Sequence, residues 1–139
     1  MTPHGSINER LAGVPLFAAL DRKHLQQLAS LVTEVDVAAG RELIHEGEVG
    51  HEFFIVVDGE AEVRIGDRVV ARRGPGEYFG EIALLSNRPR TATVTALTAM
   101  RLQVISRREF QTMLYENPAI ATELLAIAAD RVADSEAVH

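Results

Sequence analysis

Cysteine is absent from the 139 residues, which excludes disulfides and any zinc centre built on thiolates. Positive charge is outnumbered: 14 Lys and Arg stand against 20 Asp and Glu, for a formal net charge of −6. Such an acidic balance disfavours a nucleic-acid or anionic-membrane surface, so neither partner is expected. It still permits a small anionic ligand, because one arginine beside a helix start outweighs distant, screened carboxylates. Long apolar runs are missing too. No stretch approaches the roughly 18 residues that a membrane helix needs. The start, Met1–Asn8, lacks the basic-then-apolar order of a secretory leader. A cytoplasmic chain without membrane insertion is the expectation.

Several catalytic signatures are also missing. No glycine-rich loop ends in Gly-Lys-Ser/Thr, so a P-loop for triphosphates is excluded. His45 and His51 stand near Glu46, Glu48 and Glu52, superficially like metal ligands. There is no His-x-His pair, however, and the only histidine after His51 is the terminal His139. A cupin-type metal centre is therefore not expected, and these histidines read as loop-surface residues. No Ser/His/Asp arrangement is recognisable either. The chain reads as non-catalytic, with no metal and no cofactor.

What is present is an ordinary globular composition, 47% hydrophobic and 24% charged, at a length that suits one domain over residues 1–139. From Ile7 to about residue 34 apolar residues recur at helical spacing, with Leu25, Leu28, Leu31 and Val32 on one face. Pro15 interrupts this region, and Asp21 is placed to cap the second helix. Over 35–105 the period drops toward two, and eight glycines separate short runs of Val, Ile and Phe. That is the pattern of a sandwich, jelly roll or barrel. Phe53–Val57 reads as a buried strand, and Gly66-Asp67 as the two-residue turn of a hairpin. Thr91–Ala96 and Met100–Ile105 read as a second strand pair around Leu97–Ala99. Over 106–133 the helical period returns. Ser106 and Glu109 have capping-box spacing, and Asn117-Pro118 opens a last helix carrying Ile120, Leu124, Ile127, Ala128 and Arg131.

One segment, Phe79–Ala92, fits no simple strand-turn-strand reading. Gly80 permits backbone angles closed to other residues and a close ligand approach. Glu81–Leu85 supply about one helical turn, whose first N–H groups lack intrahelical partners and suit an anion. Pro89 returns the chain to an extended path, and Arg90 at that re-entry offers paired hydrogen bonds to a phosphate. Glu81 adds a carboxylate beside these donors. A bare phosphate would repel it, whereas a ribose-phosphate donates a hydroxyl to it. The combination therefore points to a nucleotide.

Phe79-Gly80-Glu81-Ile82-Ala83-Leu84 through Pro89-Arg90-Thr91-Ala92 resembles the phosphate-binding cassette of cyclic-nucleotide-binding domains, as in cyclic-nucleotide-dependent protein kinases, nucleotide-gated channels and the cAMP receptor protein. Gly40, Glu46-Gly47-Glu48 and Gly59 match the family's glycine pattern, so the likeness covers nearly the whole chain. It implies an α+β fold: an antiparallel, jelly-roll-like β-roll flanked by N-terminal and C-terminal helices, with a short phosphate-binding helix between strands. It further implies that Glu81, beside Gly80, binds the ribose 2′-hydroxyl. Arg90 would bind the cyclic phosphate with the N–H groups of Ala83 and Thr91. Val63, Val70, Ala71 and Ile82 would line the base side, and Arg131 on the last helix would contact the base as part of a lid.

The ligand expected from the resemblance is cAMP, with cGMP the alternative that a hydroxyl at Thr91 keeps open. Arg88 reads as a solvated loop-tip residue. The expected role is a sensor that signals through its C-terminal helix to an effector domain or protein, with homodimerisation through that helix as a further partner. The alternative is an interaction or dimerisation module of the same fold with little nucleotide affinity. A helix-turn-helix output is not expected, since few residues follow the last helix.

Overall fold

The computed structural model describes residues 7–18, 20–84, 87–123 and 126, with the backbone alone at 8, 15, 16, 81 and 82. Contacts divide the chain into two compact units, Leu31–Phe110 and the flanking Met1–Ser30 with Gln111–His139.

The flanking unit is helical. Helix α1 (Ile7–Ala12) closes where the Gly13 N–H donates to the carbonyls of Glu9 and Arg10, and Pro15 starts α2 (Pro15–Ala18). Helix α3 (Arg22–Ala29) begins as its sequence predicts: Asp21 Oδ1 accepts from the His24 N–H at 2.9 Å. Leu11, Phe17, Leu28 and Ile120 are fully buried in this unit. Asn117 Nδ2 donates to the Met113 carbonyl, and residues 118–123 then turn helical behind Pro118. Two contacts tie α3 to this turn: His24 Nδ1 lies 3.2 Å from Glu123 Oε2, and Gln27 Nε2 donates to Asn117 Oδ1. Leu124, Ile127, Ala128 and Arg131 lie outside the described residues.

The other unit is two four-stranded antiparallel sheets. One has the order β1 (Thr33–Val37), β8 (Met100–Ser106), β3 (Glu52–Asp58), β6 (Tyr78–Phe79). The second runs β2 (Glu42–Ile44), β7 (Thr93–Ala96), β4 (Ala61–Ile65), β5 (Arg68–Arg73). Their inner faces share one core. Phe54, Val56, Leu102 and Val104 come from the first sheet, and Ile44, Ala61, Val94 and Ala96 from the second. Each Val, Ile, Leu or Phe among them contributes about 1.5–3 kcal/mol by leaving water. The five residues Phe53–Val57 are all buried, which explains the unbroken apolar run of β3. Helix α4 (Arg107–Glu116) follows β8, with Ser106 Oγ accepting from the Glu109 N–H.

Two departures from the sequence reading matter. β7 and β8 are not a pair: they lie in different sheets, and Leu97–Ala99 carries the chain across. The crossing is pinned because the N–H groups of Leu97 and Thr98 both donate to the Glu60 carbonyl, and Thr98 Oγ1 accepts from the Glu60 N–H. Gly59 (φ +90°) is part of that clasp, since a Cβ there would fall 2.4 Å from the Ala99 carbonyl oxygen. The second departure is in the β4–β5 hairpin. Its Gly66-Asp67 turn is as expected, but Val63 pairs with Ala71 while Arg64 pairs with Val69, leaving Val70 as the extra residue of a bulge.

Candidate functional site

Phe79 ends β6 stacked on Phe54, with ring centroids 5.0 Å apart. Gly80 then adopts φ +84°, a left-handed angle that a side chain would strain. The expected single helical turn follows as a 3₁₀ turn, Glu81–Leu84, in which the Ala83 N–H donates to the Gly80 carbonyl at 3.1 Å. Ala83 and Leu84 are buried and anchor the turn.

Arg90 is held from two sides. Its backbone pairs with the loop that precedes β3: its N–H donates to the Glu48 carbonyl at 2.7 Å, and its carbonyl accepts from the Gly47 N–H at 2.8 Å. Pro89 and Val49 form the adjoining β-bridge. Its guanidinium is half-buried, with Nη2 donating to the Glu52 carbonyl at 2.6 Å and Nη1 to the Gly80 carbonyl at 3.3 Å. The cation is thus fixed at the very start of the 3₁₀ turn, and the segment Glu46–Gly50 does much of the fixing. The N–H of Thr91, next in the chain, has no acceptor among the described residues.

A cavity of about 580 Å³ opens here, a size typical of small-molecule sites. Its apolar wall comes from Ile44, Val63, Phe79, Ala83 and Val94. Its polar wall is Arg73, Arg88, Arg90 and Thr91, and no described lining residue is acidic. An anion in this cavity therefore meets three guanidiniums at short range despite the net charge of −6 over the chain.

Among the residues singled out in the sequence, the structure brings Val63, Gly80, Ala83, Arg90 and Thr91 together around the cavity. The backbones of Glu81 and Ile82 lie in the turn directly after Gly80. Val70 does not join them: it is 47% exposed on β5. Ala71 is half-buried opposite Val63 without lining the cavity. The bulge is the cause. An unbroken hairpin from Gly66-Asp67 would set Val70 opposite Val63 and Arg72 opposite Ala61. The extra residue instead sets Ala71 and Arg73 there, so Arg73 lines the cavity while Arg72 is exposed. Sequence reasoning missed Arg73 for this reason. Arg88, expected to be solvated, is exposed as well as lining the cavity. Arg131 lies outside the described residues. His45 and His51 are surface residues, His45 beside Glu42 and His51 beside Arg107.

Comparison with known proteins agrees with this geometry. The family model for the cyclic nucleotide-binding domain matches residues 34–117. A cAMP-dependent protein kinase regulatory subunit of Mycosarcoma maydis is 40% identical over 113 residues, which span 75% of this chain and 22% of that protein. The chain thus covers about a fifth of the length of this curated relative. Among solved structures, the N-terminal domain of a transcriptional regulator from Streptomyces coelicolor superposes with a TM-score of 0.82 at 35% identity, covering 93% of this chain and 94% of that one. The regulatory domain of Toxoplasma gondii PKA, crystallised with cAMP, gives a TM-score of 0.70 at 38% identity, covering 76% of this chain and 42% of that one. Both are antiparallel β-rolls with flanking helices, the architecture expected from the sequence. With its roll, its turn at Gly80 and its fixed arginine, this chain belongs to the cyclic nucleotide-binding domain family.

Proposed function

We propose that the chain is a non-catalytic sensor that binds a 3′,5′-cyclic nucleotide, cAMP in preference to cGMP, and that both units act as one regulatory module. The observation that carries this reading is Arg90: a half-buried guanidinium, fixed by backbone on both sides, on the wall of a cavity of about 580 Å³. In this reading Arg90 holds the cyclic phosphate together with the Thr91 N–H. The Ala83 N–H joins them by giving up its bond to the Gly80 carbonyl, which still accepts from Arg90. Glu81, next to Gly80, takes the ribose 2′-hydroxyl, and Val63 with Ile82 flanks the base. The likeness to kinase regulatory subunits supports cAMP and an effector protein as partner. The signal then leaves through the C-terminal helix.

A second reading has one observation in its favour. Ile65, Val69 and Val70 are each about half exposed on the β4–β5 hairpin, a surface suited to an interaction module with little nucleotide affinity. Thermal unfolding separates the two. Millimolar cAMP should raise Tm by several degrees, because a ligand at about a thousand times its Kd stabilises the fold by about 4.1 kcal/mol. No shift with either cAMP or cGMP contradicts the sensor.

A further inference from the structure

We infer that Gly50 is a positioning residue for Arg90, a glycine required by the space the guanidinium occupies and not by its own backbone. Gly80 is explained by its φ of +84°. Gly50 is buried yet does not share the left-handed angle that six glycines among the described residues have. A Cβ built on it would fall 2.0 Å from Arg90 Nε, 2.2 Å from Cζ and 2.7 Å from Nη2, and these are the three nearest atoms. The guanidinium therefore lies flat against the bare Cα of Gly50, in a slot that any other residue would fill.

What must yield to such a side chain follows from the surrounding bonds. Arg90 cannot retreat along the backbone, because Gly47 and Glu48 hold its carbonyl and its N–H. The side chain is therefore what must rotate. Doing so breaks its bonds to the carbonyls of Glu52 and Gly80 and removes the cation from the start of the 3₁₀ turn. Gly50 thus sets the direction of the guanidinium and leaves the roll intact. A site held even about 1 Å too loosely loses much of its affinity.

This inference rests on Arg90 being the phosphate ligand, so its test has one arm with nucleotide and one without. In full-length protein, Gly50→Ala should weaken cAMP binding about tenfold or more, while adding it to Arg90→Ala should change affinity less than about twofold. Without nucleotide, nitrogen-15 NMR should resolve the two Nη groups of Arg90 in the wild type and merge them in Gly50→Ala. If the wild type binds no cyclic nucleotide, the sensor reading fails and the NMR arm alone decides the role of Gly50. Should Gly50→Ala not fold, the Arg90→Ala/Gly50→Ala double variant should fold, since the obstruction is gone. Unchanged affinity and resonances in Gly50→Ala, equal losses in both backgrounds, or a double variant that also fails to fold would each overturn the assignment.

Discussion

At the residue scale, the site separates arginines that the sequence places side by side. Arg88 and Arg90 flank one proline and both line the cavity, but Arg88 is exposed whereas Arg90 is half-buried and doubly anchored. Removing a partner from a desolvated phosphate pair costs about 2–5 kcal/mol, and a solvent-exposed charge is worth less than about 1 kcal/mol. In competition against a fluorescent cAMP analogue, Arg90→Ala should therefore lose far more affinity than Arg88→Ala. Equal losses would mean that the wrong arginine has been assigned to the phosphate. Glu81 gives a second test at this scale. A ligand lacking the 2′-hydroxyl would leave the carboxylate without its partner, a cost of about 1–3 kcal/mol. Wild type should discriminate against 2′-deoxy-cAMP by about tenfold, and Glu81→Ala should abolish most of that preference. Discrimination that survives the substitution would place 2′-hydroxyl recognition elsewhere.

At the scale of elements, local chemistry was legible and long-range pairing was not. Asp21 as a helix cap, the buried run Phe53–Val57, the turn at Gly66-Asp67 and the special backbone of Gly80 all follow from side-chain type and spacing. Assigning β7 and β8 to different sheets does not, because a three-residue link between two strands looks the same whether it turns back or crosses over. Only the clasp of Glu60 on Leu97 and Thr98 distinguishes them. The bulge at Val70 is likewise silent in the sequence, yet it decides which of two adjacent arginines reaches the cavity. Arg73→Ala should accordingly weaken cAMP binding severalfold, with a reduced salt dependence, and Arg72→Ala should leave both unchanged. The opposite order would show that β5 runs without its extra residue in solution. Gly50 escaped notice because nothing in its neighbours shows that a residue forty positions later lies against it.

At the scale of the whole molecule, the proposed sensor needs a route from occupancy of the roll to an output. In the proposed sensor, nucleotide would shift the C-terminal helix by binding one of its arrangements better than another. The ties of α3 to residues 117–123, through Gln27–Asn117 and His24–Glu123, mean that the N-terminal helices would travel with it. Amide exchange over residues 118–123 should be faster in free protein than at saturating cAMP, and equal protection in both states would remove this helix as the signalling element. The central claim is more basic, that the cavity beside Arg90 holds a cyclic phosphate. Calorimetric titration of the wild type with cAMP tests it most directly. We predict saturable binding at about micromolar Kd or tighter, near −8 kcal/mol, whereas no heat up to millimolar cAMP would contradict it.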